Sequence, residues 1–407
     1  MQPLTHLNSL VEKTCRKDGM WSMNKYDTLN SGPLNFSETD MWMTMFPESS
    51  DGKIPRHMGY SRMPRAIEFR DNGVEFNVYA PDSKSVEVGG THITRWGEER
   101  HPFSPTGNGW WQVTIPDIPA GLQFIYYYFD GKEHLYEHAP ICYAHNRLCN
   151  CVDVPDQEFS FYDFRDVPHG AVRNEYYRST YTNSLRNCWV YTPPSYDYEP
   201  EKRYPVWYLL HGGGENETGW IWQGKINLII DNLIAEGRCE EMIVVCNFGH
   251  AYTPESNKEG VLPGRIDRLL MDDCIPFIEN RFRVKREKRY RAIAGLSMGS
   301  YQTQWTAFNY PDWFDYIGIF SGTIGNAFPE ISTEKYLTKE NAAVLNSQHK
   351  LLYFSQGLQE GGASLPGKIE ELRARGIKVE YFLCDGVHEW QTWRKSAHDF
   401  AQKLFKE

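Results

Sequence analysis

Ser297 stands between Gly295 and Gly299 at the end of the apolar run Ile293-Ala294-Gly295-Leu296-Ser297-Met298-Gly299. A serine in this G-x-S-x-G spacing becomes a nucleophile where the chain leaves a strand and enters a helix in a sharp, strained turn, and the glycines sit where a side chain would collide. The backbone N–H of Met298 would then open the helix beside the hydroxyl and could donate to a developing oxyanion. A hydroxyl attacks poorly until a base takes its proton, and that base must itself be oriented by a third group. The strand-like run 379–383 leads into Cys384-Asp385-Gly386-Val387-His388, which makes His388 the candidate base. The run 351–354 leads into Ser355-Gln356-Gly357-Leu358-Gln359-Glu360; Glu360 is the candidate acid, with Asp385 as competitor. His211-Gly212-Gly213-Gly214 follows another strand-like run, and the Gly213 N–H is the expected second oxyanion donor. Trp220 and Trp222 follow that loop while Trp390 and Trp393 follow the base, so indoles are expected to flank a cleft where a flat aromatic group could stack. Gly214, Trp220 and Trp390 are expected at the substrate; Trp393 could equally belong to the core through a final helix.

These residues need a frame. From 181 to 407, apolar strands at 204–210, 242–246, 290–294, 316–320, 351–354 and 379–383 alternate with helical segments at 226–236, 268–281, 300–308, 367–375 and 394–405. Such alternation predicts an α/β fold with a mostly parallel, doubly wound sheet, whose site forms beyond the strand ends. Between 63 and 155 the texture differs: Ile67-Glu68-Phe69, Val74 to Tyr79, Ser85 to Val88, Trp110 to Ile115 and Gln123 to Phe129 are short runs, several alternating apolar with polar residues, with turn signals at Asp71-Asn72-Gly73 and Asp130-Gly131. Period two with such turns predicts an antiparallel β-sandwich. Residues 156–180 read as a connector, and residues 1–62, polar and weakly periodic, as an extension.

Composition narrows the partners. At 407 residues two domains are expected, and 41% hydrophobic with 24% charged residues is ordinary for a globular protein. The net charge of −10 disfavours nucleic acid and anionic membranes, which need clustered Lys and Arg. The N-terminus, Met-Gln-Pro-Leu-Thr-His, lacks a basic stretch followed by an apolar run, and no 18 apolar residues run together, so a cytoplasmic protein is expected. Nine cysteines is an odd number, and Cys188, Cys246 and Cys384 lie in strand-like runs as reduced core residues would. Cys149-x-Cys151, even with His138 and His145 nearby, lacks a full zinc-ligand spacing. No metal or organic cofactor is expected; oligomeric state stays open, a homodimer among the options.

Two resemblances follow. Val74-Glu75-Phe76-Asn77-Val78-Tyr79-Ala80-Pro81, Gly109-Trp110-Trp111, Ile118-Pro119-Ala120-Gly121 and Phe129-Asp130-Gly131 resemble the early-set, glycogen-binding-type carbohydrate-binding modules. That implies an immunoglobulin-like sandwich used for glycan binding or for packing. Val167-Pro168-His169-Gly170, Tyr191-Thr192-Pro193-Pro194, Leu209 to Gly214, Ala292 to Gly299 and His388 to Arg394 resemble the esterase D and feruloyl esterase-like α/β-hydrolases of carbohydrate esterase family one. This resemblance implies a serine esterase acting on acyl groups of plant polysaccharide, with nucleophile, acid and base on Ser297, Glu360 and His388 in that chain order. Glu360 departs from the commoner Asp, and Ser300 stands where a third glycine is frequent. Gly357-Leu358-Gln359-Glu360 is at least as similar to the acid loop of enterochelin esterases, which share a two-domain plan. Acetylxylan and siderophore esterases are therefore the enzyme alternatives, and a carbohydrate-binding protein with an inactive hydrolase domain is the non-enzyme one.

Overall fold

The computed structural model describes residues 65–90, 99–258, 264–324 and 333–406. The expected extension, residues 1–62, lies outside them. Ten strands build the first unit: β1 (Ile67–Arg70), β2 (Gly73–Tyr79), β3 (Val86–Gly89), β4 (Arg100–Pro102), β5 (Ser104–Gly107), β6 (Trp110–Ile115), β7 (Gly121–Phe129), β8 (Lys132–His134), β9 (Ile141–Ala144) and β10 (Arg147–Val154). One sheet runs β1-β2-β6-β5 and the other β4-β3-β7-β10-β9, with β8 beside β7. Both are antiparallel, and Asp130-Gly131 turns β7 into β8 with φ of +50° and +77°, as a two-residue hairpin requires. Phe76, Val78, Val88, Ile125, Tyr127 and Val152 fill the space between the sheets.

β7 and β10 carry apolar side chains on both faces. Ile125 and Tyr127 point into the sandwich, whereas Leu122, Phe124 and Tyr126 pack with the second unit's core. On β10, Val152 points inward while Cys149 and Cys151 join that same outer cluster, which accounts for the C-x-C spacing as strand periodicity.

The second unit is one eight-stranded sheet in the order β11-β12-β14-β13-β15-β16-β17-β18. Its strands are β11 (Ala171–Ser179), β12 (Ser184–Thr192), β13 (Val206–Leu210), β14 (Ile243–Asn247), β15 (Arg291–Leu296), β16 (Tyr316–Phe320), β17 (Leu351–Gly357) and β18 (Glu380–Cys384). From β14 to β18 neighbouring strands are parallel, and β11 and β12 add an antiparallel edge. β13, β14 and β16 are buried along their whole length, as parallel strands covered on both faces must be. This is the doubly wound sheet expected from the alternation, and with the preceding sandwich it matches the α/β-hydrolase and immunoglobulin-like folds that the resemblances imply.

Two expectations need correction. Residues 156–180 are not a connector throughout, because β11 pairs with β12 along its full length. Its Arg173, Asn174, Glu175 and Arg178 are the polar residues of an edge strand, which hid it from an apolar criterion. The preceding His169 and Gly170 are pinned to buried Asp231, by His169 Nδ1 at 2.9 Å and the Gly170 N–H at 2.9 Å. The helix expected over 268–281 is interrupted by a π-turn at Leu270–Cys274 before Ile275–Arg281. Pro276, which donates no N–H, sits just past the turn.

A buried ion cluster joins the units. Asp153 of β10 receives both Nη atoms of Arg394, at 2.9 and 2.8 Å, from the helix Trp390–Ala401. It also receives Lys225 Nζ at 2.6 Å, and all three side chains are 4% exposed or less. Burial by itself would raise the Asp153 carboxyl, but the two cations outweigh it and hold the group well below the usual carboxylate range. Arg394 also donates to the Gln223 carbonyl at 2.8 and 2.6 Å and lies over the Tyr162 ring. Asp153→Ala should therefore cost about 3–5 kcal/mol by stranding two buried cations, read as a lowered midpoint in urea unfolding; a loss below about 1 kcal/mol would contradict the coupling.

Candidate active site

β15 ends at Leu296, and the helix Met298–Asn309 begins one residue later. Ser297 between them has φ +50° and ψ −115°, a strained conformation that pushes its hydroxyl out of the turn. The neighbouring glycines are steric necessities: a Cβ on Gly295 would sit 2.4 Å from the Gly299 carbonyl oxygen, and one on Gly299 2.6 Å from the His211 carbonyl oxygen. Ser300, the departure from a third glycine, is fully buried and donates through Oγ to the Ser297 carbonyl at 2.6 Å. It tightens the same turn.

Beyond β18, His388 turns back toward the serine. Its Nε2 lies 2.9 Å from Ser297 Oγ and its Nδ1 2.7 Å from Glu360 Oε2. A carboxylate only accepts, so the Nδ1 proton points to Glu360 and Nε2 is left to receive the serine proton. Glu360 follows β17 and is only 6% exposed, whereas the His388 side chain is 49% exposed. The second carboxylate oxygen accepts from Ser321 Oγ at 2.5 Å and from the Gly357 N–H at 2.6 Å. Asp385, the competing acid, meets the Gln359 amide at 3.5 Å instead.

The glycine loop lies beside the elbow. His211 is buried, which pushes its pKa down to about 3, and as a neutral ring it accepts the Gly249 N–H through Nε2 at 2.8 Å. Its Nδ1 meets the Gly212 carbonyl at 2.8 Å, fixing the start of the loop. A Cβ on Gly212 would lie 2.5 Å from Leu296 Cδ1, so any side chain there would displace Leu296. Gly213 borders the cavity, and the nearest atom to a Cβ there would be Met298 Cβ at 4.0 Å. Gly213 and Ser297 thus border one space, and Met298, the other expected donor, opens the helix directly after Ser297.

That space is a cavity of about 140 Å³ lined by Ser297, His388, Gly213, Glu215, Trp390 and Trp393, among others. Trp390, expected at the substrate, lines this cavity; Trp220 does not. It is fully buried, donates to the Leu210 carbonyl at 2.9 Å, and stands edge-on beneath Trp390 at 5.3 Å. Trp390 meets Trp393 edge-on at 5.2 Å, and Trp393 meets His388 at 5.1 Å. Trp393 also donates to Ser321 Oγ at 2.9 Å, so it is both cavity wall and support for the acid. Trp222 packs instead on Trp189. Gly214 likewise leaves the substrate side, since its carbonyl accepts the Asn146 N–H at 2.8 Å from the sandwich.

Sequence reasoning missed Ser321 and Glu215. Glu215 follows the glycine loop, is buried against the cavity, and accepts weakly from the Gly212 N–H at 3.4 Å. Burial raises its carboxyl to about 8, so it is neutral at pH 7 and brings no negative charge to the oxyanion donors. No motif marks Ser321, whereas Glu215 directly extends the glycine run.

Glu360→Gln should lower kcat about 10³- to 10⁴-fold with little change in folding, measured on an activated ester; an equal loss in Asp385→Ala instead would move the acid. Glu215 makes a second test. The folded state holds its proton up to about pH 8 while the unfolded chain releases it near the usual carboxylate value, so stability falls as pH rises through that window. Glu215→Gln should remove this slope, and the difference in melting temperature between pH 5 and pH 8.5 should shrink relative to wild type.

Residues 179–403 match the esterase family model, described as "Putative esterase", and residues 57–141 match carbohydrate-binding module 48, the isoamylase N-terminal domain. The chain is 33% identical over 412 residues to an endo-1,4-beta-xylanase/feruloyl esterase of Xylanibacter ruminicola, covering 95% of this chain and 54% of that protein. It thus spans about half the length of that relative. A ferulic acid esterase of Anaeromyces mucronatus superposes with a TM-score of 0.51 at 20% identity, over 60% of this chain and 95% of its own. The enterobactin esterase of Shigella flexneri superposes with a TM-score of 0.58 at 13% identity, over 84% of this chain and 96% of its own, a likeness of fold that takes in both units. With the family model covering more than half of its length and the elbow, base and acid loops all inside the match, the chain belongs to the esterase family of α/β-hydrolases.

Proposed function

We propose that the chain is a serine carboxylic-ester hydrolase that removes hydroxycinnamoyl groups, ferulate foremost, from plant cell-wall-derived oligosaccharides through an acyl-enzyme. The observation that carries this reading is the unbroken relay from Glu360 through His388 to Ser297, opening on a cavity walled by indoles. Ser297, His388 and Glu360 act as a catalytic triad. Ser297 Oγ attacks the ester carbonyl as His388 Nε2 takes its proton, and Glu360 stabilises the imidazolium that results. The Met298 and Gly213 amides donate to the oxyanion, and neutral Glu215 leaves that charge unopposed. Collapse of the intermediate passes the proton from His388 to the departing sugar oxygen. Water, deprotonated by the same base, then releases the acid and restores the serine.

Aromatic acyl groups are favoured because Trp390 and Trp393 border the cavity, where an apolar ring can pack. Among the described residues no Lys or Arg lines the cavity, so nothing there would pair with a polyanionic ferric siderophore. The feruloyl esterase in the name of the Xylanibacter relative points the same way. The test is one panel of methyl ferulate, acetylated xylan oligosaccharide and an enterochelin-type triester, with fluorophosphonate labelling alongside. Methyl ferulate should give the highest kcat/KM. Ser297→Ala should lose about a million-fold in kcat together with the fluorophosphonate adduct. A preference for acetyl or triester substrates would overturn the acyl assignment, and absence of labelling in the wild type would favour the inactive binding protein.

A further inference from the structure

The cavity at Ser297 is not made by the hydrolase unit alone. Leu122, Phe124 and Tyr126 of β7 and His145 of the β9–β10 turn line it, facing Ser297, His388, Trp390 and Trp393. The cause lies in strand geometry. Alternate residues of β7 point to opposite sides, so with Ile125 and Tyr127 committed to the sandwich core, Leu122, Phe124 and Tyr126 must emerge on the other face. That face lies against the hydrolase unit: Leu122 is buried there, and Phe124 and Tyr126 are half-buried with their remaining surface toward the cavity. Phe124 and His145 meet edge to face at 5.3 Å, which gives the wall one continuous aromatic surface.

The wall is also held in place. Asp153, three strand-positions beyond Asn150 on the neighbouring β10, is clamped by Arg394 and Lys225. The Asn146 N–H next to His145 donates to Gly214 at 2.8 Å, and Gln223 Nε2 donates to the Tyr143 carbonyl at 3.0 Å. A sandwich that swung freely as a separate glycan binder would lose these buried bonds and expose the apolar face of β7.

Resting on the feruloyl esterase reading above, we propose that the sandwich unit is the acyl-selecting half of the active site: Phe124 and Tyr126, with His145, form the surface against which the ring of an aromatic acyl group packs. The indoles across the cavity supply the opposite surface. A cinnamoyl group carries its ring beyond the carbonyl on a rigid vinyl spacer and reaches this wall, whereas an acetyl group ends at the carbonyl and does not. Selection for aromatic acids then comes from a domain whose fold family is named for carbohydrate, through the face that its partner domain covers.

The test compares 4-nitrophenyl ferulate with 4-nitrophenyl acetate, which share an alcohol and differ only in the acyl group. In Phe124→Ala and Tyr126→Ala the ratio of kcat/KM for ferulate over acetate should fall at least about tenfold, carried mainly by KM. Phe124→Leu, which keeps apolar bulk without the ring, covers the case in which the alanine variant fails to fold. Trp110→Ala, on the other sheet and packed on Tyr79, should leave the ratio at the wild-type value. An unchanged ratio in folded Phe124→Leu and Tyr126→Ala would overturn the proposal, as would an equal fall in Trp110→Ala. Failure of the function reading looks different: wild type would then ignore methyl ferulate, while the ratio of the two nitrophenyl esters would still report on the wall.

Discussion

The contact on which the architecture turns is the buried carboxylate of Asp153 between Arg394 and Lys225. Ions out of water are tolerable only with close partners and satisfied donors, and here the partners come from different parts of the chain. Asp153 belongs to the sandwich, Lys225 precedes the helix Ile226–Ala235 at a left-handed φ of +52°, and Arg394 lies in the last helix. That last helix begins at Trp390, two residues after His388. The cluster therefore sets two things together: how the sandwich sits on the hydrolase, and where the segment carrying the base begins.

From that segment the order spreads through aromatic contacts. Trp220, Trp390 and Trp393 meet in successive T-shaped contacts, and the last of them meets His388 the same way. Trp393 also reaches Ser321, whose hydroxyl holds Glu360. The half-exposed imidazole is thus oriented by a buried acid on one side and a rigid indole on the other. Strain at Ser297 is sustained because β15, the helix after it and the glycine loop all pack against the elbow, and Gly295 and Gly299 face backbone at distances no Cβ could occupy.

Much of the site was legible in the sequence because its logic is local. A nucleophile elbow needs its glycines within two residues of the serine, and in a doubly wound sheet the base and acid must lie just past strand ends, so strand runs pointed to His388 and Glu360. β10 was harder to read. Its Asn150 and Asp153 break an apolar alternation, yet both are buried, Asn150 because its side chain pairs with the Tyr136 backbone at 2.9 and 2.8 Å and Asp153 because of its cations. β11 was missed for the opposite reason, being an edge strand with few apolar residues. Proximity in sequence also misled. Trp220 lies close to the glycine loop along the chain, but its short helix turns the indole inward beneath Trp390.

The sequence by itself determined the two units, the places of Ser297, Glu360 and His388 at strand ends, and the glycines of the elbow and loop, because these depend on strand period, turn sterics and spacing over a few residues. Only the tertiary structure decided which carboxylate reaches His388, which indoles meet the cavity, and that β7 walls it. Those outcomes depend on side chains that tertiary packing brings together, from Glu360 and His388 at 2.7 Å across 28 positions to Asp153 and Arg394 at 2.8 Å across 241, and no local pattern encodes such distances.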